Sequence, residues 1–241
     1  MRIVYLISAL VIAVGLALSG WFVAEGFVKS REPQRAVTVK GLSERIVTAD
    51  IGFWPIRFVA SGPTLADARA TLETAESAVR QFAGDQGFAE GDISVQNIAV
   101  EDRFAGYNGG NTPDAVRFVL TEDLLITSEE VEKLADAARA VGDLIRAGVV
   151  FSSDSYNAGP SFVFTGINDL KGEMLTEATQ RAREAAQQFA TESEAEVGGI
   201  LDANQGVFQI SDAVEIPNAR SNTQIEKNVR VVTTIRYELI D

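Results

Sequence analysis

The sequence predicts an α+β domain with a mostly antiparallel sheet, carried behind one apolar N-terminal segment. Three observations lead there. Residues 228–239 alternate Val229, Val231, Thr233, Ile235 and Tyr237 with Arg230, Thr234, Arg236 and Glu238, the period of a half-buried strand. Residues 65–82 and 168–194 repeat apolar side chains at steps of three and four, the helical period. Strand-like runs also flank turn signals and interleave with these helices, an order that suits hairpins packed under helices rather than a doubly wound parallel sheet.

The first element is the apolar run. Residues 3–24 hold no charged side chain, and roughly 20 apolar residues span a hydrocarbon core. Three readings compete. A cleaved signal peptide would use Arg2 as its basic start and Ala17-Leu18-Ser19 as a small-x-small cleavage site. An uncleaved anchor explains why Trp21, Phe22 and Val23 continue the run, with Trp21 and Phe22 placed for an aromatic interface belt. A buried core helix conflicts with the lack of any polar face. The expectation is residues 1–28 as membrane anchor (or signal), 29–35 as a polar linker with Pro33, and 36–241 as the domain. Lys29 and Arg31 compete with Arg2 in setting orientation, and a long acidic domain after a first hydrophobic segment suits an N-terminus-in, domain-out topology.

Along the domain, Val37 and Val39 start a strand that Gly41 should break. In residues 45–62 the apolar parity changes from Val47, Ala49, Ile51 and Phe53 to Trp54, Ile56 and Phe58, which predicts a bulge at Trp54-Pro55; the proline implies a sheet edge or an irregularity. A first helix follows Thr64, a plausible N-cap with Asp67 three residues on. Its core face is Leu65, Ala68, Leu72, Ala75, Val79 and Phe82, and Gly84 and Gly87 mark its end. Strand signals at 92–104 and 116–126 flank the turn-rich residues 105–114, a long hairpin interrupted at Glu122. A second helix from Ser128 has a predicted core face of Val131, Leu134, Ala138, Val141 and Ile145. Short apolar pieces at 149–151 and 162–164 precede the longest helix, about 168–194, lined by Leu170, Met174, Ala178, Ala182, Ala185 and Phe189. Strands at 206–214 and 228–239 close the chain, giving three main helices in the order ββαββαβαββ.

Composition limits the chemistry. The 241 residues contain neither histidine nor cysteine, which excludes disulfides, thiol nucleophiles, thiolate–zinc sites, Ser-His-Asp triads and imidazole ligands. Net charge is −13 from 21 basic and 34 acidic residues. Three of the basic and one of the acidic residues precede position 32, so the domain is more acidic still. Such a surface repels phosphate backbones and anionic bilayers alike, so nucleic acid is not an expected partner and membrane attachment must come from residues 3–24.

The adjacent carboxylates Glu101-Asp102, Glu122-Asp123 and Glu129-Glu130, with Asn108, Asn111 and Asp114 nearby in sequence, have the oxygen ligands of a calcium or acid–base site. They lack EF-hand spacing, and neighbours on a strand point to opposite faces, so they read as solvated surface. Residues 105–110 lack the glycine order, following helix and lysine of a phosphate cradle, and Tyr107 reads as loop packing. Ser152, Ser153, Asp154 and Ser155 read as a turn, and Trp54 as core or sheet edge. No catalytic, cofactor or metal-binding residue is assigned, no cofactor is expected, and the expectation is a non-enzyme.

The opening VTVKGLSERIVTADIGFWPIRF, the helix start TLADARATLETAESAV, the alanine-rich block with Arg181, Ala182, Ala185 and Ala190 leading to Gly198-Gly199-Ile200, and the closing VRVVTTIRYEL together resemble SIMPL domains, the family of domain of unknown function 541. The resemblance covers about residues 36–239. It implies a periplasmic or membrane-associated protein, similar to immunogenic envelope antigens, with links to oxidative stress and ring-like oligomers in some members. It carries no active site. The expectation is therefore a single-pass protein of the bacterial inner membrane with its C-terminal domain in the periplasm, or a cleaved periplasmic form. Its role would be assembly or contact with an envelope protein, as a homo-oligomer, in stress protection. A carboxylate-dependent hydrolase or metal-binding domain is the alternative.

Overall fold

The computed structural model describes residues 13–24, 35–105, 116–153 and 159–241. Residues 13–24 form a helix, α1, with every residue exposed; Leu16 is 68% and Trp21 71% accessible. That excludes the buried core helix for these residues. No helix among the described residues is long and apolar enough to cross a membrane, and residues 3–12 of the expected span lie outside them.

The domain runs β1 (Ala36–Thr48), β2 (Ile51–Gly62), α2 (Leu65–Asp85), a 3-10 turn (Glu90–Asp92), β3 (Ile93–Asp102), β4 (Phe118–Ser128), α3 (Val131–Arg139), α4 (Gly142–Arg146), β5 (Ser161–Val163), α5 (Ile167–Glu192), β6 (Glu196–Gln205), β7 (Gln209–Asp212) and β8 (Glu226–Ile240). One four-stranded sheet has the order β1-β8-β6 with β7 also on β8; the other has the order β3-β4-β2-β5. The pairings β2·β4, β2·β5, β3·β4 and β7·β8 are antiparallel. The fold is α+β, as expected. The chain divides into two compact units: Met1–Gly41 with Thr179–Asn204 and Thr233–Asp241, and Leu42–Ala178 with Gln205–Val232.

In the larger unit, Trp54, Ile56, Phe58 and Ala60 of β2 and Leu120, Leu124 and Ile126 of β4 form one buried sheet face. Ala68, Leu72, Val79 and Phe82 of α2 and Val131, Leu134 and Ala137 of α3 join the same cluster. Trp54 meets Phe82 edge-on with ring centroids 6.2 Å apart. Gly52 lets α3 approach β2, since a Cβ there would lie 2.6 Å from Leu134 Cδ2 and 3.2 Å from Phe162 Cδ1. Thr64 caps α2 by accepting from the Asp67 N–H at 3.2 Å, as the sequence predicts. Asp50 accepts the Thr165 and Gly166 N–H groups at 2.9 Å each just before α5, where a helix terminus favours an anion. A second cluster gathers Met174, Ala178, Val229 and Val231. Lys227 is fully buried and donates to Asp212 Oδ1 at 2.5 Å.

In the smaller unit, Val39, Ala182, Ala186, Ile235 and Tyr237 form the buried cluster, with Val37, Ala185 and Val197 packed on it. The Leu239 N–H donates to the Arg35 carbonyl at 2.8 Å, and Arg35 pairs with Asp241.

Several expectations are corrected. Gly41 does not break β1. There is no bulge at Trp54-Pro55: β2 keeps an unbroken register with β4 from Gly52↔Ser128 to Gly62↔Phe118. The parity change instead comes from the turn at residues 49–50, which separates two strands read as one. The bulge lies in β3, between Val95 and Asn97. The second helix is two helices, and the break at residues 140–141 rotates the phase so that Leu144 is buried and Ile145 exposed. On α5 the buried face continues through Ala186 and Ala190, leaving Phe189 exposed. β6 was not foreseen.

Candidate functional site

Glu122 does not interrupt β4. It lies mid-strand opposite Phe58 of β2 and Ile98 of β3, on the face shared with Leu120 and Leu124, and is 1% exposed. Its Oε1 has no hydrogen-bond partner among the described residues. Burial, then the neighbouring Glu76 carboxylate and Asp123, push the Glu122 carboxyl up to about 7, against the opposing pull of Arg80. Arg80 holds Glu76 at 2.8 Å and also pairs with Glu90, contacts that raise the guanidinium further.

Beside this carboxyl the sheet ends. β3 is an outer strand, and Val95, Ile98 and Val100 pair across from Leu124, Glu122 and Leu120, so they belong to the same face. Yet they are exposed, at 43%, 53% and 56%. The outer edge of β3 has no partner strand among the described residues, and its sequence ISVQNIAVED offers no proline or lysine to discourage pairing.

The other paired carboxylates are not gathered. Asp123 receives a two-pronged contact from Arg57, with Nη2 at 2.9 Å, which holds its carboxyl below the usual range. Asp102 accepts from Arg117 Nη2 at 2.9 Å and from the Phe104 N–H at 3.0 Å, with the same effect. Glu130 pairs with Lys133 at 2.6 Å, Glu101 lies 4.0 Å from Arg103, and Glu129 is exposed. Among the described residues no three acidic groups converge as metal ligands. Tyr107, Asn108, Asn111, Asp114, Asp154 and Ser155 lie outside the described residues.

A cavity of about 480 Å³ opens on the other side of this sheet, at the free edge of β2. β5 pairs only with Ile51, Gly52 and Phe53, and the next edge contact is the bridge Phe58↔Phe151. Arg57 accepts from the Ser152 N–H at 3.1 Å and Val59 donates to Val150 at 2.8 Å. Backbone groups alternate along a strand, so the odd residues face this edge, Pro55 among them. Proline has no N–H to offer a neighbour. Trp54, Pro55, Ala138, Ile145, Phe151 and Phe162 make much of the wall, with Arg57 and Arg139 as its charged members among the described residues. The sequence signals only the proline; that residues 135–151 and 159–162 bring side chains around it is a tertiary fact.

No curated protein matches the chain. A family model described as SIMPL, protein of unknown function (DUF541), matches residues 37–237, nearly the whole domain that carries the α+β fold, the free β3 edge and the β2 cavity. The chain belongs to the SIMPL family.

Proposed function

We propose that this SIMPL protein is an anchored envelope module that acts by association, pairing the β3 edge of one copy with that of another, rather than by catalysis. The single observation carrying this reading is the β3 edge itself: ten residues long, unpaired outward among the described residues, and bearing three exposed aliphatics on one face. Anchoring draws support from the charge-free residues 3–24 and from the exposed apolar side chains of α1. The periplasm is the compartment that fits an acidic domain following such a segment, and protection of the envelope under stress is the role the family resemblance favours. The scattering of the paired carboxylates into separate ion pairs speaks against the hydrolase or metal-binding alternative.

The absence of native cysteine makes a clean test available. In cells producing the full-length Ala99→Cys variant, a maleimide confined to the periplasm should label the protein, and mild oxidation should give a disulfide-linked dimer. Labelling only after the inner membrane is broken would refute the location. Labelling without any dimer, while a control cysteine in α2 behaves identically, would refute β3 pairing.

A further inference from the structure

We propose that the cavity at the β2 edge is a binding site for a small amphiphilic monoanion, an acyl or aryl carboxylate whose apolar body enters the notch and whose headgroup meets Arg139. This goes beyond the association reading, since β2 opens here on the side of the sheet away from β3.

The notch is a built feature. Residues 54–56 have no neighbouring strand among the described residues, because β5 ends its pairing at Phe53 and the next edge contacts are the Ser152 N–H to the Arg57 carbonyl and the bridge Phe58↔Phe151. Pro55 fits that gap, because a partner strand there would lack a donor. Its volume of about 480 Å³ falls within the range of small-ligand sites. Ala135, Ala138 and Arg139 recur at helical spacing, so α3 presents one continuous wall that passes from methyl groups to a guanidinium. Trp54 is 3% exposed and supplies a rigid flat surface.

Charge selects the ligand. In a chain with 34 acidic and 21 basic residues, no acidic side chain among the described residues lines this cavity, and Arg139 stands at its wall. Arg57 lines the cavity from the strand edge, while its guanidinium is held by Asp123 of β4 on the opposite sheet face. Arg139 pairs with Asp136, three residues earlier on the same helix, and both are well exposed. Such a surface pair is worth little, so an incoming carboxylate can share Arg139 at small cost. A cationic amphiphile would meet the Arg139 guanidinium as a like charge, and a neutral one would leave that guanidinium facing an apolar body.

The test uses the full-length protein in a neutral detergent and a diazirine-bearing lauric acid, with a diazirine-bearing dodecyltrimethylammonium as the cationic counterpart. After illumination, peptide mapping should place the fatty-acid label on Trp54, Ile145 or Phe151. The cationic probe should label these peptides far less. Arg139→Gln should cut fatty-acid labelling about fivefold, the effect of one lost exposed charge contact, and Ile145→Glu should cut it at least as much. Both residues are exposed, and circular dichroism checks that each variant is folded. Label centred on Val95–Val100, equal labelling by both probes, or insensitivity to Arg139→Gln in a folded variant would each overturn the proposal.

Discussion

Glu122→Gln isolates the only buried carboxylate among the described residues while preserving side-chain shape. In the unfolded chain this carboxyl titrates near 4.5, and in the fold near 7. Folding therefore favours the protonated form, and the penalty appears as pH rises. Stability is undiminished below pH 4.5, falls between 4.5 and 7, and levels off above. At about 1.4 kcal/mol per tenfold change in ionisation, the full loss is roughly 3 kcal/mol. Glutamine cannot ionise, so the variant lacks this fall. It brings its own pH-independent cost, because an amide at this site also lacks partners; the informative quantity is therefore the change in the difference between the two proteins. Urea unfolding of both full-length proteins, followed by circular dichroism from pH 5 to pH 8, should show the variant gaining about 2 to 3 kcal/mol relative to the parent. Parallel pH curves would show that Glu122 is not held protonated by burial, and the reasoning would fail.

Asp212→Asn leaves the buried Lys227 ammonium without its counter-charge and should destabilise the protein by about 3 kcal/mol in the same unfolding assay, whereas an exposed pair such as Arg69–Glu73 should cost under about 1 kcal/mol when broken. Gly52→Ala places a methyl group 2.6 Å from the fully buried Leu134 Cδ2, and the forced repacking of α3 against β2 should lower stability by about 1 to 3 kcal/mol. Thr64→Ala removes the α2 cap and should cost about 1 kcal/mol, read as a lower urea midpoint with an unchanged slope.

What the sequence made legible follows from local physics. β8 was clear because its two faces have different neighbours, so Val229, Val231, Ile235 and Tyr237 had to alternate with polar residues. α2 was clear because Thr64 and Asp67 advertise its start and the glycines at 84 and 87 its end. β6 was invisible for the opposite reason: EVGGILDANQ is exposed along most of its length and carries two glycines, so no period forms. The break between α3 and α4 has no proline, and Ala140-Val141 reads as continuous helix, so only packing reveals it. Glu122 looked like an interruption because a carboxylate in a strand signals solvent until the covering helix is known. The β2 cavity left a single trace, Pro55. A proline there implies an edge strand or an irregularity; β2 lies between β4 and β5, with no bulge and, among the described residues, no neighbour strand beside Pro55.

The account rests most heavily on association through β3, and mass decides it most directly. Light scattering of the detergent-solubilised full-length protein, corrected for detergent, should give a protein mass at a multiple of 25.9 kDa. Ile98→Lys, which puts a charge on the free edge at a residue 53% exposed, should bring it back to 25.9 kDa. A parent protein that stays at 25.9 kDa at high concentration, or an assembly that Ile98→Lys leaves intact, would contradict the account.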